Sequence, residues 1–352
     1  MHRLTSTFLF LTVILGTAIV ASSENWFIIW VGLELSTLAI IPILCSGFTP
    51  RSVEASIKYF LVQALSAALL LNSALVQAWL TGSWSTSIPL NLTSQISLSI
   101  ALAFKIGLAP CHFWFPDVLQ GLPLVQGLLI STWQKIAPLI ILFSFSNLVF
   151  SKIVIALGLF SVLVGGWGGL NQTQMRKILA FSSIAHMGWI SLTSVYYSEA
   201  AFVMLALYLI INTAIFLTAN FLGVLTLGHL NVISQLSPLS TVILVLIVLS
   251  LGGLPPLTGF MVKFISLYHL VSNNFLIFSV LLIIGSLLSL FFYLRITFNV
   301  ALILFPHHIL ALSSWRNCSP DSSLSVNTWL VSTLFIVSTA TIPLSLSLYM
   351  IL

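Results

Sequence analysis

Lys105-Ile-Gly-Leu-Ala-Pro110 closes an apolar run that opens near residue 94, and Gly252-Gly-Leu-Pro-Pro256-Leu-Thr-Gly-Phe260-Met-Val-Lys263 interrupts a second one that opens near residue 238. Each stretch joins a helix-breaking Gly/Pro cluster to a lysine. Proline has no backbone N–H and clashes with the preceding turn, so a break of this kind frees carbonyls. At membrane depth those carbonyls need protein or water partners, which places the breaks along cavities and away from lipid. Paired interruptions in two halves of a chain point to transporter-type inverted repeats with the working site at the repeat interface. Pro42 and Pro138, taken alone, read as packing kinks.

That the solvent of this chain is lipid follows from composition. Of 352 residues 59% are hydrophobic and 5% charged, and the mean hydropathy is +1.17. No water-soluble core requires such values. The net charge of +5 arises from 11 basic and 6 acidic residues, too few and too scattered for a nucleic-acid surface. A window of about 19 residues finds apolar runs near 4–22, 26–46, 56–80, 94–110, 123–146, 150–170, 178–196, 200–225, 238–267, 276–303 and 326–350. The first lacks an A-x-A-like cleavage site, so it reads as a span and not as a signal peptide. The expected fold is all-α: a polytopic membrane bundle of about eleven transmembrane helices in one domain over residues 1–352. Connections such as 46–52 and 171–177 are too short to hold a soluble domain. With the N-terminus inside, Arg3, Arg51, Arg176, Lys177 and Arg316 fall on the inner side and Lys152 on the outer. Positive charge collects on the inner side of membrane proteins, so this orientation is expected, with Leu352 outside.

Charges inside the spans carry the function. A charge near a bilayer centre costs about 2.5 to 3.5 kcal/mol even on lenient scales, so its default role is in an ion or proton path. Glu34, in Trp30-Val-Gly-Leu-Glu34, sits near the middle of the second span; Lys105 lies in the fourth, Lys135 in the fifth and Lys263 beside the second break. Glu34 and Lys105 are mid-span charges of opposite sign and form the expected pair, within direct or one-water reach. A buried ion pair is a weak stabiliser, so packing alone is a poor reason for several such charges. Lysine suits proton transfer because it can lose its proton when buried, whereas arginine stays charged. His186, midway along the seventh span, can both donate and accept a proton and is read as a relay, against the bland alternative of a satisfied core histidine. Lys58 lies four residues after Glu54 and reads as an interfacial pair near the inner edge. His112 and Asp117, in the loop after the first break, are loop-fixing or entry residues, so Lys58, Glu54, His112 and Asp117 are auxiliary positions. His307 and His308 look like surface residues.

Other chemistry finds no motif. Cys45, Cys111 and Cys318 lie far apart with no CxxC spacing, so no metal or iron–sulfur site is expected. There is no phosphate-binding loop, nucleophile triad, haem motif or nicotinamide fingerprint, and no cofactor is expected on this chain. Three Asn-x-Ser/Thr strings, at Asn91, Asn171 and Asn317, match a short and often fortuitous acceptor pattern. The glycines of Gly165-Gly-Trp-Gly-Gly169 predict a close helix approach.

Several strings together carry a resemblance. They are Gly169-Leu-Asn-Gln-Thr-Gln-Met-Arg-Lys-Ile-Leu-Ala-Phe-Ser-Ser-Ile-Ala-His-Met-Gly-Trp189, Leu254-Pro-Pro-Leu-Thr-Gly-Phe260, Trp30-Val-Gly-Leu-Glu34, Glu54-Ala-Ser-Ile-Lys-Tyr-Phe60, His112-Phe-Trp114 and Thr132-Trp-Gln-Lys-Ile-Ala-Pro138. Nearly end to end, the chain resembles the NADH dehydrogenase subunit 2 family of mitochondrial complex I, antiporter-like subunits of its membrane arm. The resemblance implies two inverted five-helix repeats, each with one broken helix, over about 23–170 and 150–303. It also implies a charged axis of Glu34 with Lys105, then Lys135, then Lys263, with His186 as a bridge. Further implications are neighbouring membrane-arm subunits and lipids as partners, the mitochondrial inner membrane as location with the N-terminus in the matrix and the C-terminus on the intermembrane-space side, and NADH, FMN, iron–sulfur clusters and ubiquinone on other subunits. Broader antiporter relatives carry fourteen helices; eleven here favour the mitochondrial subunit. Three functions compete: proton translocation coupled to quinone reduction elsewhere in the complex, a free-standing monovalent cation/proton antiporter, and a scaffold. Sodium sites favour carboxylate and carbonyl oxygens, and a lysine-rich core weighs against the second.

Overall fold

The computed structural model describes residues 3–145, 149–230, 238–255 and 257–301. Among these the chain is helical throughout, with isolated bridges and no strand. The helices are α1 (Arg3–Ser22), α2 (Trp26–Leu44), α3 (Pro50–Thr81), α4 (Leu92–Ile106), α5 (Trp114–Gly121), α6 (Leu124–Ser131), α7 (Trp133–Ser144), α8 (Ser151–Gly169), α9 (Met175–Tyr196), α10 (Ser198–Leu222), α11 (Pro238–Gly252), α12 (Gly259–Ser272) and α13 (Leu276–Ala301). Among the described residues eight segments are long and apolar enough to cross a membrane, and α4, α11 and α12 are shorter apolar helices. The chain is a polytopic helical bundle. The eleventh expected span, 326–350, lies outside the described residues, as do Cys318, His307 and His308.

Where an expected span and its helices differ, turn chemistry explains the difference. The run 94–110 stops at Ile106 because Gly107 takes φ +83, and its N–H returns to the Ala103 carbonyl at 2.9 Å. The run 238–267 divides into α11 and α12, with Gly253 at φ +73 after the first helix. The run 123–146 divides at Thr132 (φ −114, ψ −72) into α6 and α7. Helix α3 starts six residues earlier than its apolar run. Thr49 caps it by accepting from the Ser52 N–H at 3.2 Å, with Pro50 in the first turn, where a missing donor costs nothing.

Two compact units are formed, 1–161 with 187–201, and 162–186 with 202–352. In the first, α3 packs on α4, α2 and α5, and α7 on α1, α4 and α2. Helix α3 shows what lipid does to a core. Ser52, Ser56, Tyr59, Gln63, Ser66, Leu70, Ser73 and Gln77 recur at alternating steps of four and three, and all are buried. Ile57, Leu61, Leu65 and Leu75 are exposed. With hydrocarbon outside, apolar side chains gain nothing by turning inward, while small and polar ones pack helices closely and meet partners. Ser56, Ser66 and Ser73 return their hydroxyls to carbonyls one turn back, on Val53, Gln63 and Leu70. Gln77 ties the helix end to the following loop, donating to the Pro89 carbonyl at 3.0 Å.

In the second unit α11 packs on α13 and α12, and α12 on α13. The glycine run at the end of α8 is a close approach, as expected: a Cβ on Gly165 would lie 2.8 Å from the Ala185 nitrogen, and one on Gly166 2.7 Å from the Gly285 carbonyl oxygen. The loop after α8 is held by a short bridge, with Met175 N–H on the Leu225 carbonyl and Leu227 N–H on the Thr173 carbonyl, both at 3.0 Å.

Candidate functional site

In the first unit, two helix irregularities bring lysines to the interior, the glycine end of α4 and the kink at Thr132. Lys105 occupies the last turn of α4, where a cation complements the carbonyl end of the helix dipole. It is 4% exposed, and its Nζ has no hydrogen-bond partner among the described residues. Glu34 on α2 is half-buried and accepts from Thr37 Oγ1 at 3.2 Å. The ion pairs found among the described residues do not join Glu34 to Lys105. Their coupling is an electrostatic interaction across a gap. Direct contact, one of the two arrangements expected, is therefore not formed.

Lys135 lies in the first turn of α7, just past the kink at Thr132, and is 2% exposed. Its Nζ sits 4.2 Å from the centroid of the buried Phe115 ring on α5, a cation–π arrangement for a charged amine. Tyr59 on α3 donates to Gln134 Oε1 at 3.3 Å and packs its ring on Trp114, centroids 5.8 Å apart. Tyr59 is also in the electrostatic range of Glu34.

Lys58 pairs with Glu54 at 2.7 Å, the i,i+4 contact expected, and also reaches Asp117 on α5 at 3.6 Å. These side chains, with Arg51 and Gln120, line a cleft of about 250 Å³. Asp117 thus meets Lys58 at the exposed rim, whereas His112, 5% exposed, is buried with its ring 4.3 Å from that of Phe113. Cys45 Sγ lies 2.8 Å from Ser56 Oγ.

In the second unit the break supplies an acceptor. Lys263, half-buried in the second turn of α12, donates from Nζ to the Gly252 carbonyl at 2.6 Å. That carbonyl ends α11, where no following helical N–H is available to it. The lysine stem crosses directly over Gly253, so a Cβ there would stand 2.9 Å from Lys263 Cδ. His186 on α9 is buried, with its ring 5.9 Å from that of Tyr208 on α10. Asn212 Nδ2 donates to the Tyr208 hydroxyl at 3.1 Å.

Within each unit, then, Glu34, Lys105 and Lys135 share the interior with Tyr59, while Lys263 meets the second break and His186 meets Tyr208. Sequence reasoning missed Tyr59, Gln134, Tyr208, Asn212 and Arg295. The spacing of four and three along α3 would have found Tyr59, and the i,i+4 step from Tyr208 would have found Asn212. Arg295 on α13 donates from Nη1 to the Leu170 carbonyl at 2.7 Å and from Nη2 to that of Gln172. It lies inside an apolar run, and only the fold shows that its task is to hold a loop.

Known proteins match this chain in sequence and in fold. A family model described as NADH:quinone oxidoreductase/Mrp antiporter, transmembrane, matches residues 23–289, and one described as NADH dehydrogenase subunit 2 C-terminus matches 290–349. NADH-ubiquinone oxidoreductase chain 2 of Strongylocentrotus purpuratus is 66% identical over 351 residues, covering 100% of both chains.

This chain belongs to the NADH-ubiquinone oxidoreductase chain 2 family.

Another member of that family, from Paracentrotus lividus, is 63% identical over 99% of both chains. A chain of the solved respiratory complex I from Thermus thermophilus superposes with TM-score 0.79 at 27% identity, covering 97% of this chain and 80% of that one. The fold of the NADH-ubiquinone oxidoreductase chain 2 family also extends to a chain of an archaeal membrane-bound sulfane sulfur reductase, with TM-score 0.81 at 19% identity over 96% of this chain and 73% of that one.

Proposed function

We propose that this chain is a proton-translocating core subunit of the membrane arm of mitochondrial respiratory complex I, moving protons along Glu34, Lys105, Lys135, His186 and Lys263. Family membership supports the complex. The observation that carries the path is that Lys105, Lys135 and Lys263 each stand at a helix interruption: the glycine end of α4, the kink before α7 and the break between α11 and α12. A regular helix offers a buried amine no free acceptor, whereas an interruption supplies carbonyls and room for water.

Magnitudes are compatible with switching. One charge moved against 100 mV requires about 2.3 kcal/mol, and one pKa unit corresponds to about 1.4 kcal/mol. A change of a few units at one amine is enough to drive one transfer. Glu34 is set near Lys105 without direct contact, so a modest displacement of either changes their coupling strongly in a medium of low dielectric. Lys58, Glu54, Asp117 and His112 serve entry or support. The two repeat regions, about 23–170 and 150–303, each include one broken helix; the N-terminus faces the matrix and the C-terminus the intermembrane space. Neighbouring membrane-arm subunits and lipid surround the chain, and NADH, FMN, iron–sulfur clusters and ubiquinone act on other subunits.

Replacing Lys135 or Lys263 by methionine keeps most of the stem and deletes the proton site. In the assembled complex, pumping and coupled quinone reduction should fall at least tenfold, a loss of about 1.4 kcal/mol or more of coupling. Arginine should fail as well, since it does not release its proton. An unchanged ratio of protons pumped to electrons transferred in both methionine variants would make the chain a scaffold; sodium-dependent transport would favour the antiporter.

A further inference from the structure

In the polar seam of α3, Ser56, Ser66 and Ser73 bond back to carbonyls of their own helix, and Gln77 bonds to the loop that follows. Tyr59 differs. Its hydroxyl leaves α3 for Gln134, the residue before Lys135, and its ring rests on Trp114, the residue before Phe115. Trp114 and Phe115 are themselves in edge contact, centroids 5.4 Å apart at 90°, and the Phe115 ring carries the Lys135 amine. Tyr59 therefore reaches Lys135 twice, through the chain at Gln134 and through the ring pair on α5.

The turn that bears Lys135 departs from a regular helix. Thr132 departs from helical geometry and turns its hydroxyl to the Leu128 carbonyl at 2.6 Å. The Lys135 N–H spans only three residues, to the Thr132 carbonyl at 3.2 Å, and Pro138 has no N–H to offer the carbonyl of Gln134. Backbone bonding through this turn is thus irregular. On the opposite side of Tyr59, the preceding residue, Lys58, links to Asp117 on the same α5 that carries Trp114 and Phe115.

We propose that Tyr59 is a positioning residue that holds the Lys135 amine over the Phe115 ring and so couples the charged cleft at Lys58 and Asp117 to the proton site at Lys135. This rests on the reading of Lys135 as a proton site. The hydroxyl fixes the turn, the ring fixes Trp114, and no proton passes through the phenol.

Tyr59→Phe removes one oxygen and keeps the ring. In the assembled complex the proton-pumping rate should fall about fivefold, the fold-change equivalent of one typical hydrogen bond. Gln134→Leu, which removes the acceptor, should reproduce that loss, and combining the two should add little. The deciding comparison is a double-mutant cycle with Lys135→Met. If Tyr59 acts through Lys135, Tyr59→Phe lowers the residual rate of the Lys135→Met complex by less than about 1.5-fold, because the group it positions is gone. A full fivefold effect in that background shows a role independent of Lys135 and overturns the inference, as does wild-type pumping in both Tyr59→Phe and Gln134→Leu. Should Tyr59→Phe fail to assemble, Gln134→Leu carries the same cycle alone. If Lys135→Met itself pumps normally, the reading of Lys135 falls first, and that result is distinct from every one above.

Discussion

At the scale of single residues, three interior lysines and Arg295 divide the work according to what each cation can do. Lys105, Lys135 and Lys263 are compact amines on flexible stems, each beside a helix interruption, whereas Arg295 uses its rigid fork to hold two carbonyls at once. The position of Lys263 depends on a glycine. At Gly253 the backbone has φ +73, and a Cβ would fall 2.9, 3.0 and 3.1 Å from Cδ, Cε and Nζ of Lys263. Gly253→Ala therefore adds about 1 kcal/mol of backbone strain and displaces the amine from the Gly252 carbonyl. Because the clashing atoms end a flexible side chain, the complex should still assemble while its ratio of protons to electrons drops toward that of Lys263→Met. Native-gel assembly with proton-pumping assays checks this. A wild-type ratio would show that the carbonyl contact does not matter to turnover.

At the scale of elements, the ends and breaks of helices do what loops do in a water-soluble protein. Helix α4 ends on a left-handed glycine and leaves Lys105 in its last turn; α7 starts after a kink and leaves Lys135 in its first. The loop between α8 and α9 is held from outside its own helices, by the bridge to residues 225–227 and by Arg295. Arg295→Lys keeps the charge but cannot fork to both Leu170 and Gln172. It should destabilise the fold by about 2 kcal/mol, the worth of a charge-assisted hydrogen bond, seen as a lower midpoint of thermal unfolding in detergent. The ratio of protons to electrons should remain unchanged. If that ratio falls while stability holds, Arg295 belongs with the proton-handling cations and not with the loop.

At the scale of the whole molecule, the proposed orientation puts Arg51, Arg176 and Lys177 on the matrix side and Lys152 on the other. Single cysteines placed at 152 and 176 should react with membrane-impermeant reagents from opposite faces; reaction from one face rules out the proposed arrangement of spans. Much of this fold was legible beforehand, because hydrophobic length, helix-breaking clusters and the cost of a buried charge are local properties of the chain. Composition and apolar run lengths sufficed for a polytopic bundle. The strings around Lys105 and Lys263 sufficed for two helix breaks, and the titratable groups within spans put forward Glu34, Lys105, Lys135, His186 and Lys263 as candidates. What no local pattern contains is partnership across helices. That Glu34 and Lys105 interact without touching, that Lys263 ends on the carbonyl of Gly252, that Phe115 lies under Lys135 and that Tyr59 binds Gln134 were all decided by tertiary structure. The sequence by itself determined which side chains lipid could not tolerate unaided, since desolvation depends on a residue's depth in its own span. Only packing decided which group each of them met, since contacts between distant residues depend on how the kinked helices cross.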